Sequence, residues 1–399
     1  MPKSEYINST SIEGTVKGLF PKALKLLDEL TKQLTEFDNK ASSNHLQSTT
    51  RNLALHISSL VQDGHTDLAG ISELTQLLTV KAFLYRAQKL HDYIGESSGD
   101  KNEDLLIALF ESKTRDHDGN RVAFETFKKT VERDAFGIVI TAHPTFSISK
   151  ELTHILAELV VRGNENVIGT KQGTEFLSKK SSNELISDVA KTPHGTSNQI
   201  TLEDEMDFAL MAIKNIRQAL RRVYRILFSV SQKAYPNDWQ RLTPKLLTVA
   251  TWVGYDLDGR ADIGWSTTFK QRMIVEKIAL EDYLDALKKI EEPKVEKLED
   301  IKERIQVSIA FLNNDLKRLD VDPNDVNQIA SLSRAMVESL ETRLIDLGSI
   351  ISRLSEEIEK NGEAAMLLAI LRAEMANFGL AFAHTHVRLN ASQIANAIR

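Results

Sequence analysis

Three stretches of this 399-residue chain place histidine, aspartate or arginine directly behind a short apolar run. In the first, Phe136–Ile140 reads as a short buried strand, and His143 then stands in front of Pro144. Proline lacks an N–H, holds φ near about −65° and pushes the preceding residue towards an extended backbone. The His143 imidazole is therefore presented on a constrained backbone. In the second stretch, Leu246–Val253 reads as a strand, followed by a turn carrying Asp256, Asp258, Gly259 and Arg260. In the third, Gly379–Leu389, the residues His384, His386 and Arg388 alternate, so on a strand all three point to one face. Imidazole can move a proton near neutral pH, and guanidinium can fork an anion. Polar groups at the C-terminal ends of strands are where parallel barrels and open sheets do their chemistry. For His143 the plainer reading is a strand-end histidine bonded to nearby backbone. For the third stretch the site reading carries more weight, because three polar groups on one face of an apolar strand are costly to bury without partners.

Long helical segments must position these three stretches. Apolar residues at 3–4 spacing predict helices over 14–34 with a break or start at Pro21, then over 42–62, 68–93 and 102–113. A helix is expected from about Ser147 to Val161, with His154 packed on or near its apolar face. Residues 162–200 read as a long loop with a short helix at 182–190. Lys171, Lys179 and Lys180 there are either solvated or available to an anion. The helix over 202–230 carries Lys214, Arg217, Arg221 and Arg225 on one face, which reads as solvated or salt-bridged, with an anionic ligand or a subunit as the alternative. Further helices are predicted over 266–290, 296–319, 324–360 (a near-heptad seam from Met336 to Ile358) and 363–376. Asp116–Asn120 and Gly254–Arg260 both fail as calcium loops, because position 1 is Thr114 in one and Gly254 in the other. Both read as turns.

The resulting fold class is mainly α with a few parallel strands, laid out as the first part of a helix-rich (β/α) TIM-like barrel. Residues 1–134 form an N-terminal helical region. Residues 135–399 carry the first three barrel strands with long helical insertions, an incomplete barrel because three strands cannot close one. The hydrophobic share of 42% and charged share of 27% are those of an ordinary globular protein. A net charge of −6 argues against a nucleic-acid binder. The absence of cysteine excludes disulfides, thiolate metal sites and a cysteine nucleophile. No apolar h-region opens the chain and no run approaches the roughly 18 apolar residues of a membrane span, so a cytoplasmic location is expected.

Thr141–Thr145 resembles the T-A-H-P-T signature of phosphoenolpyruvate carboxylases. Trp252–Gly259 looks like that family's W-M-G-G-D-R-D-G motif, and Phe378–Leu380 followed by Val387–Arg388 looks like its F-G-L…L-D-I-R-Q segment. The order and spacing match the N-terminal half of the family, which is mostly helical and supplies the early barrel strands. The resemblance implies carboxylation of phosphoenolpyruvate by bicarbonate to oxaloacetate and phosphate, through carboxyphosphate and an enolate, with Mg²⁺ or Mn²⁺. It implies His143 as the essential histidine and Arg388 as the partner of the substrate phosphate. Thr145, Lys150, Asp256, Asp258, Arg260 and His386 fall beside them as candidate substrate-binding residues. The chain departs from the family pattern at Phe146, Ser149, Lys150, Leu257, His386 and Leu389. Lost cations would weaken binding of a triply anionic substrate unless His384, His386 or Arg260 compensates. The family's metal ligands, second histidine and Gly/Arg-rich loop are expected in a C-terminal half outside this chain. Family members are regulated by metabolites and are usually homotetramers.

Two other readings fit parts of the sequence. His384 and His386 resemble the metal pair that opens amidohydrolase barrels, but those enzymes need further histidines and an aspartate downstream. The stronger rival is a non-catalytic, carboxylase-derived helical scaffold that binds an anionic metabolite or a protein partner. The 399-residue chain alone is expected to be inactive. An assay with phosphoenolpyruvate, bicarbonate and Mg²⁺ should yield no oxaloacetate, and bicarbonate-dependent turnover would overturn that expectation.

Overall fold

The computed structural model describes residues 14, 16–43, 48–96, 99–141, 149–162, 177–192, 201–258, 262–290, 296–319, 325–360 and 364–398. Along the chain run helices α1 (Pro21–Ser43), α2 (Thr49–Gln62), α3 (Leu68–Glu96), α4 (Gly99–Lys113) and α5 (Phe124–Val131), then strand β1 (Asp134–Ile140). Helices α6 (Lys150–Val161), α7 (Ser182–Lys191) and α8 (Leu202–Ala234) follow, then β2 (Leu246–Thr251). After it come α9 (Trp265–Lys288), α10 (Glu296–Arg318), α11 (Val326–Glu338), α12 (Gly348–Lys360) and α13 (Ala365–Phe378). The short strand β3 (His384–Thr385) and α14 (Ala391–Ile398) end the sequence of elements. No described helix is long and apolar enough to cross a membrane.

The chain forms two compact units, one of residues 1–102 and 144–199, the other of 103–143 and 200–399. This division cuts elsewhere than the expected 134/135 boundary, which marks where strands begin rather than where packing thins. In the first unit α3 packs against α1, α6 and α7. Leu77, Val80, Leu84, Leu152, Leu159, Ile186 and Val189 fill its core. His91 on α3 sets its Nδ1 2.8 Å from the Val160 carbonyl on α6. His154, expected among the packed residues of α6, is exposed; it lies one position from the buried Ile155, just past the edge of the apolar stripe. Lys180, weighed as an anion contact, pairs with Asp188 at 2.7 Å. Residues 163–176, including Lys171, lie outside the described residues.

The second unit holds a three-stranded parallel sheet in the order β1-β2-β3. Ile140 pairs with Thr251, and Thr251 with Thr385, so the three strands stop at one level. One register irregularity falls between Asp134 and Phe136, opposite Leu246, whose φ of 32° takes up the kink. Helix α8 lays Ile213, Leu220, Tyr224, Leu227 and Phe228 into the core shared with α9, α10, α12 and α13. The basic face of α8 divides. Lys214 and Arg225 are exposed, whereas Arg217 is fully buried and Arg221 partly so. Arg217 and Arg221 meet Asp282 of α9 and Glu374 of α13 in one ion cluster.

Three predicted elements are corrected. The strand expected to be buried over Phe136–Ile140 is largely exposed, with Phe136 and Val139 both reaching solvent. The helix expected over 324–360 is two helices separated by residues 339–347. There Arg343 turns inward to Asp315 (2.6 Å) and the Leu344 N–H donates to the Ser308 hydroxyl (2.8 Å). The heptad-like spacing persists because Leu344, Leu347, Leu354 and Ile358 are all buried, but a buried ion pair interrupts the helix between them. The strand expected over 379–389 is only His384–Thr385. Gly379 caps α13 at φ +57° and donates its N–H to Met375 O, so the apolar residues after it form a turn. Phe382 and Ala383 are buried.

Gly254 follows β2 at φ +81°, and a Cβ built there would lie 2.9 Å from Gln271 Cγ. Gly254→Ala should therefore destabilise the second unit by about 1–3 kcal/mol through strain and overlap. Urea unfolding checks this, and an unchanged midpoint would show that the turn relaxes without penalty.

Candidate active site

The level strand ends decide which chemical groups share an edge. Because all three strands are parallel, the segments after Ile140, Thr251 and Thr385 leave the sheet on the same side. The segment after β1 leads to His143, which lies outside the described residues, as do Thr145 and Arg260. Lys150 opens α6 in the other compact unit, and its side chain is likewise outside what is described. The described part of the candidate site is therefore the pair of segments after β2 and β3.

Those two segments are laced together by backbone. His386 N–H donates to Thr251 O (3.0 Å), Arg388 N–H to Tyr255 O (3.1 Å) and Leu257 N–H to Arg388 O (3.0 Å). Asp256 and Arg388 form an isolated parallel bridge, which carries the pairing past the short β3. The lacing fixes the side chains in turn. Arg388 Nη1 donates to Asp256 Oδ2 at 2.8 Å, and its Nη2 lies 3.6 Å from Asp258 Oδ2. The guanidinium carbon sits 5.2 Å from the centre of the Trp252 ring, within cation–π range. Arg388 is thus oriented by two carboxylates and an aromatic ring yet stays 47% exposed. An accessible, pre-oriented guanidinium can receive a phosphate or carboxylate without first being ordered.

Asp256 and Asp258, expected among the substrate contacts, both face Arg388 in the structure. His386 is exposed, and His384 is half-buried with its ring 6.0 Å from that of Phe378. The desolvation cost expected for three buried polar groups does not arise, because the strand ends at Thr385 and the two later side chains reach solvent.

The chemistry of the donors bears on metal binding. Among the described residues there is no group of three or more His, Asp or Glu able to hold a metal ion. Asp256 and Asp258 are both committed to Arg388. A divalent cation does not fit the described part of the site.

A family description, phosphoenolpyruvate carboxylase, matches residues 19–398. The chain belongs to the phosphoenolpyruvate carboxylase family. A search of curated proteins returned no match. Family membership gives the strand-end cluster its context, since the match runs through all three strands and both units.

The salt-bridged reading of the α8 face holds for Arg217 and Arg221, although spacing along the helix does not name their partners. Arg217 Nη1 donates to Phe382 O at 3.1 Å, two residues before β3, and Arg221 pairs with Glu374 and Asp282 at 2.6 Å each. Arg372, also buried, donates to Gln240 O, to Leu242 O (2.7 Å) and to Ser355 Oγ (3.0 Å). Burial pushes its guanidinium down to about 10. The signal was available: Arg372 and Glu374 are isolated charges in the otherwise apolar helix Ala365–Phe378.

The Asp256–Arg388 pair is partly exposed, so its worth to folding is small. Asp256→Asn should lower unfolding stability by no more than about 1 kcal/mol while freeing Arg388 from its orientation. Urea unfolding gives the first quantity and the change in Trp252 emission the second. A much larger stability loss would make the pair a structural element rather than an orienting one.

Proposed function

We propose that this chain supplies the phosphate-binding and histidine side of a phosphoenolpyruvate carboxylase site, with bicarbonate as co-substrate and oxaloacetate and phosphate as products. The observation that carries the reading is the Arg388 guanidinium, oriented by Asp256, Asp258 and Trp252 at the same sheet edge from which the chain departs towards His143. On this reading bicarbonate oxygen attacks the phosphorus of phosphoenolpyruvate, the enolate leaves, and carboxyphosphate releases carbon dioxide and phosphate. The enolate carbon then attacks carbon dioxide. Arg388 holds the transferring phosphoryl group, and a positive donor fixed in advance stabilises charge as it develops. His143 handles the proton of carboxyphosphate breakdown beside the enolate. Thr145, Lys150, Arg260 and His386 are the proposed further substrate contacts, whereas Asp256 and Asp258 orient Arg388.

The reading places residues 135–399 as the first three strands of a helix-rich barrel, with 1–134 as a helical region before them. It carries the family's Mg²⁺ or Mn²⁺ on ligands other than the described residues. A cytoplasmic homo-oligomer is proposed with it. The scaffold reading, in which the same arginine binds an anionic metabolite without turnover, rests on the departures at Phe146, Ser149 and Leu257.

Titrating phosphoenolpyruvate against the wild-type chain, His143→Ala and Arg388→Ala tests the assignments. Arg388→Ala should weaken binding by roughly 10- to 100-fold, the worth of one charge-assisted contact, and His143→Ala by less. Equal binding by all three would remove both residues from the site.

A further inference from the structure

Alternation along the laced segments gives the strand-end backbone a second face. Asp256, Asp258, His386 and Arg388 point to one side, and Tyr255, Leu257, Thr385 and Val387 alternate with them. These four floor a groove of about 770 Å³. Its first wall is the N-terminal part of α9, where Trp265, Phe269 and Arg272 recur at helical spacing. Its second wall is α11, where Leu332, Met336 and Val337 do the same. Two apolar helix faces thus stand across an open space instead of against one another. Trp265 (52% exposed), Val337 and Val387 reach solvent along it.

The volume falls in the range of about 300–1,000 Å³ typical of small-molecule sites. The chemistry of the lining narrows the class. Among the described residues, every other lining residue is apolar or carries a hydroxyl, and Arg272 is the one charge. Arg272 Nη1 donates to Leu380 O at 3.3 Å and lies 3.4 Å from Glu276 Oε2, one turn further along α9. Arg272 has five N–H donors, and these contacts leave donors over for a further acceptor. An apolar cleft with one cation that keeps spare donors suits a ligand with an apolar body and one negative head.

We propose that this groove binds a small apolar carboxylate, its body between the α9 and α11 walls and its carboxylate on Arg272. The site is distinct from the Arg388 cluster and does not depend on the carboxylase reading. The test uses the full chain and 4-phenylbutyrate as probe, with 4-phenyl-1-butanol as its neutral counterpart and Trp265 emission and calorimetry as readouts. The carboxylate should bind with a Kd on the order of 0.1–1 mM, as expected of a ligand that size, and several-fold more tightly than the alcohol. Arg272→Gln should weaken the carboxylate about tenfold and leave the alcohol unchanged, which also shows that the groove still folds. Met336→Glu should remove both.

Equal affinity for acid and alcohol, or binding indifferent to Arg272→Gln, would overturn the assignment, as would no binding at 10-fold above about 1 mM. Sedimentation supplies the remaining outcome. If the wild type dimerises and Met336→Glu makes it monomeric, a second copy fills the groove and the ligand proposal falls.

Discussion

The second unit depends on a charge that has no business being buried unless it is surrounded. Arg217 is 1% exposed. Its guanidinium carbon lies 4.5 Å from the Phe378 ring centre, 4.7 Å from that of Phe382 and 5.3 Å from that of Tyr283. Asp282 and Glu374 supply the counter-charge, shared with Arg221. Removing one partner from such a cluster leaves an uncompensated buried charge, typically worth about 3–5 kcal/mol. The geometry is demanding, and the demand falls on three helices at once, because two arginines of α8 must meet one carboxylate each from α9 and α13 at the same point. Arg217 also takes Phe382 O, and Tyr283, whose hydroxyl burial pushes up to about 12, donates to Gly379 O at 3.0 Å. Both ends of the turn that feeds β3 are tied to this cluster.

Arg217 and Arg388 show how one residue type serves two ends. Arg217 is closed in by aromatic rings, and its Nη groups donate to Phe382 O and Asp282 Oδ2. Arg388 is approached on one side by Trp252 and on two others by carboxylates, and the rest of its surface faces solvent. The first gives the fold a fixed interior reference, and the second offers donors to something arriving from outside. The strand-end backbone between them transmits position without being part of either cluster.

Most of the helix pattern was legible in the sequence because apolar spacing reports directly on which face is buried. Ser48, Ser149, Ser181 and Thr201 each accept a hydrogen bond as the helix begins, and Pro21 opens α1. The strand-end motifs were legible too, since Asp256 and Arg388 do meet. What was not legible was long-range polarity. The seam from Met336 to Ile358 hides a break because Arg343 finds Asp315, a partner that spacing cannot name. The α8 face left solvated and salt-bridged readings open for Arg217, because its counter-ions lie on α9 and α13. The stretch after Gly379 looked like a full strand because buried turns and buried strands use the same residues; only the glycine at positive φ separates them.

The parallel sheet also sets an order of events. Thr248 and Asp134, whose side chains bond across β1 and β2, are 114 residues apart in sequence, and Arg388 and Asp256 are 132 apart. By contrast α9 with α10, and α12 with α13, are neighbours along the chain that pack on each other. Closing a loop of more than a hundred residues costs entropy before any contact repays it, and chains rich in such closures fold slowly. Helical pairs can form early, on their own local contacts. The Arg388 cluster can form only once the 132-residue closure between Asp256 and Arg388 holds, so this edge of the sheet takes shape after the helical pairs.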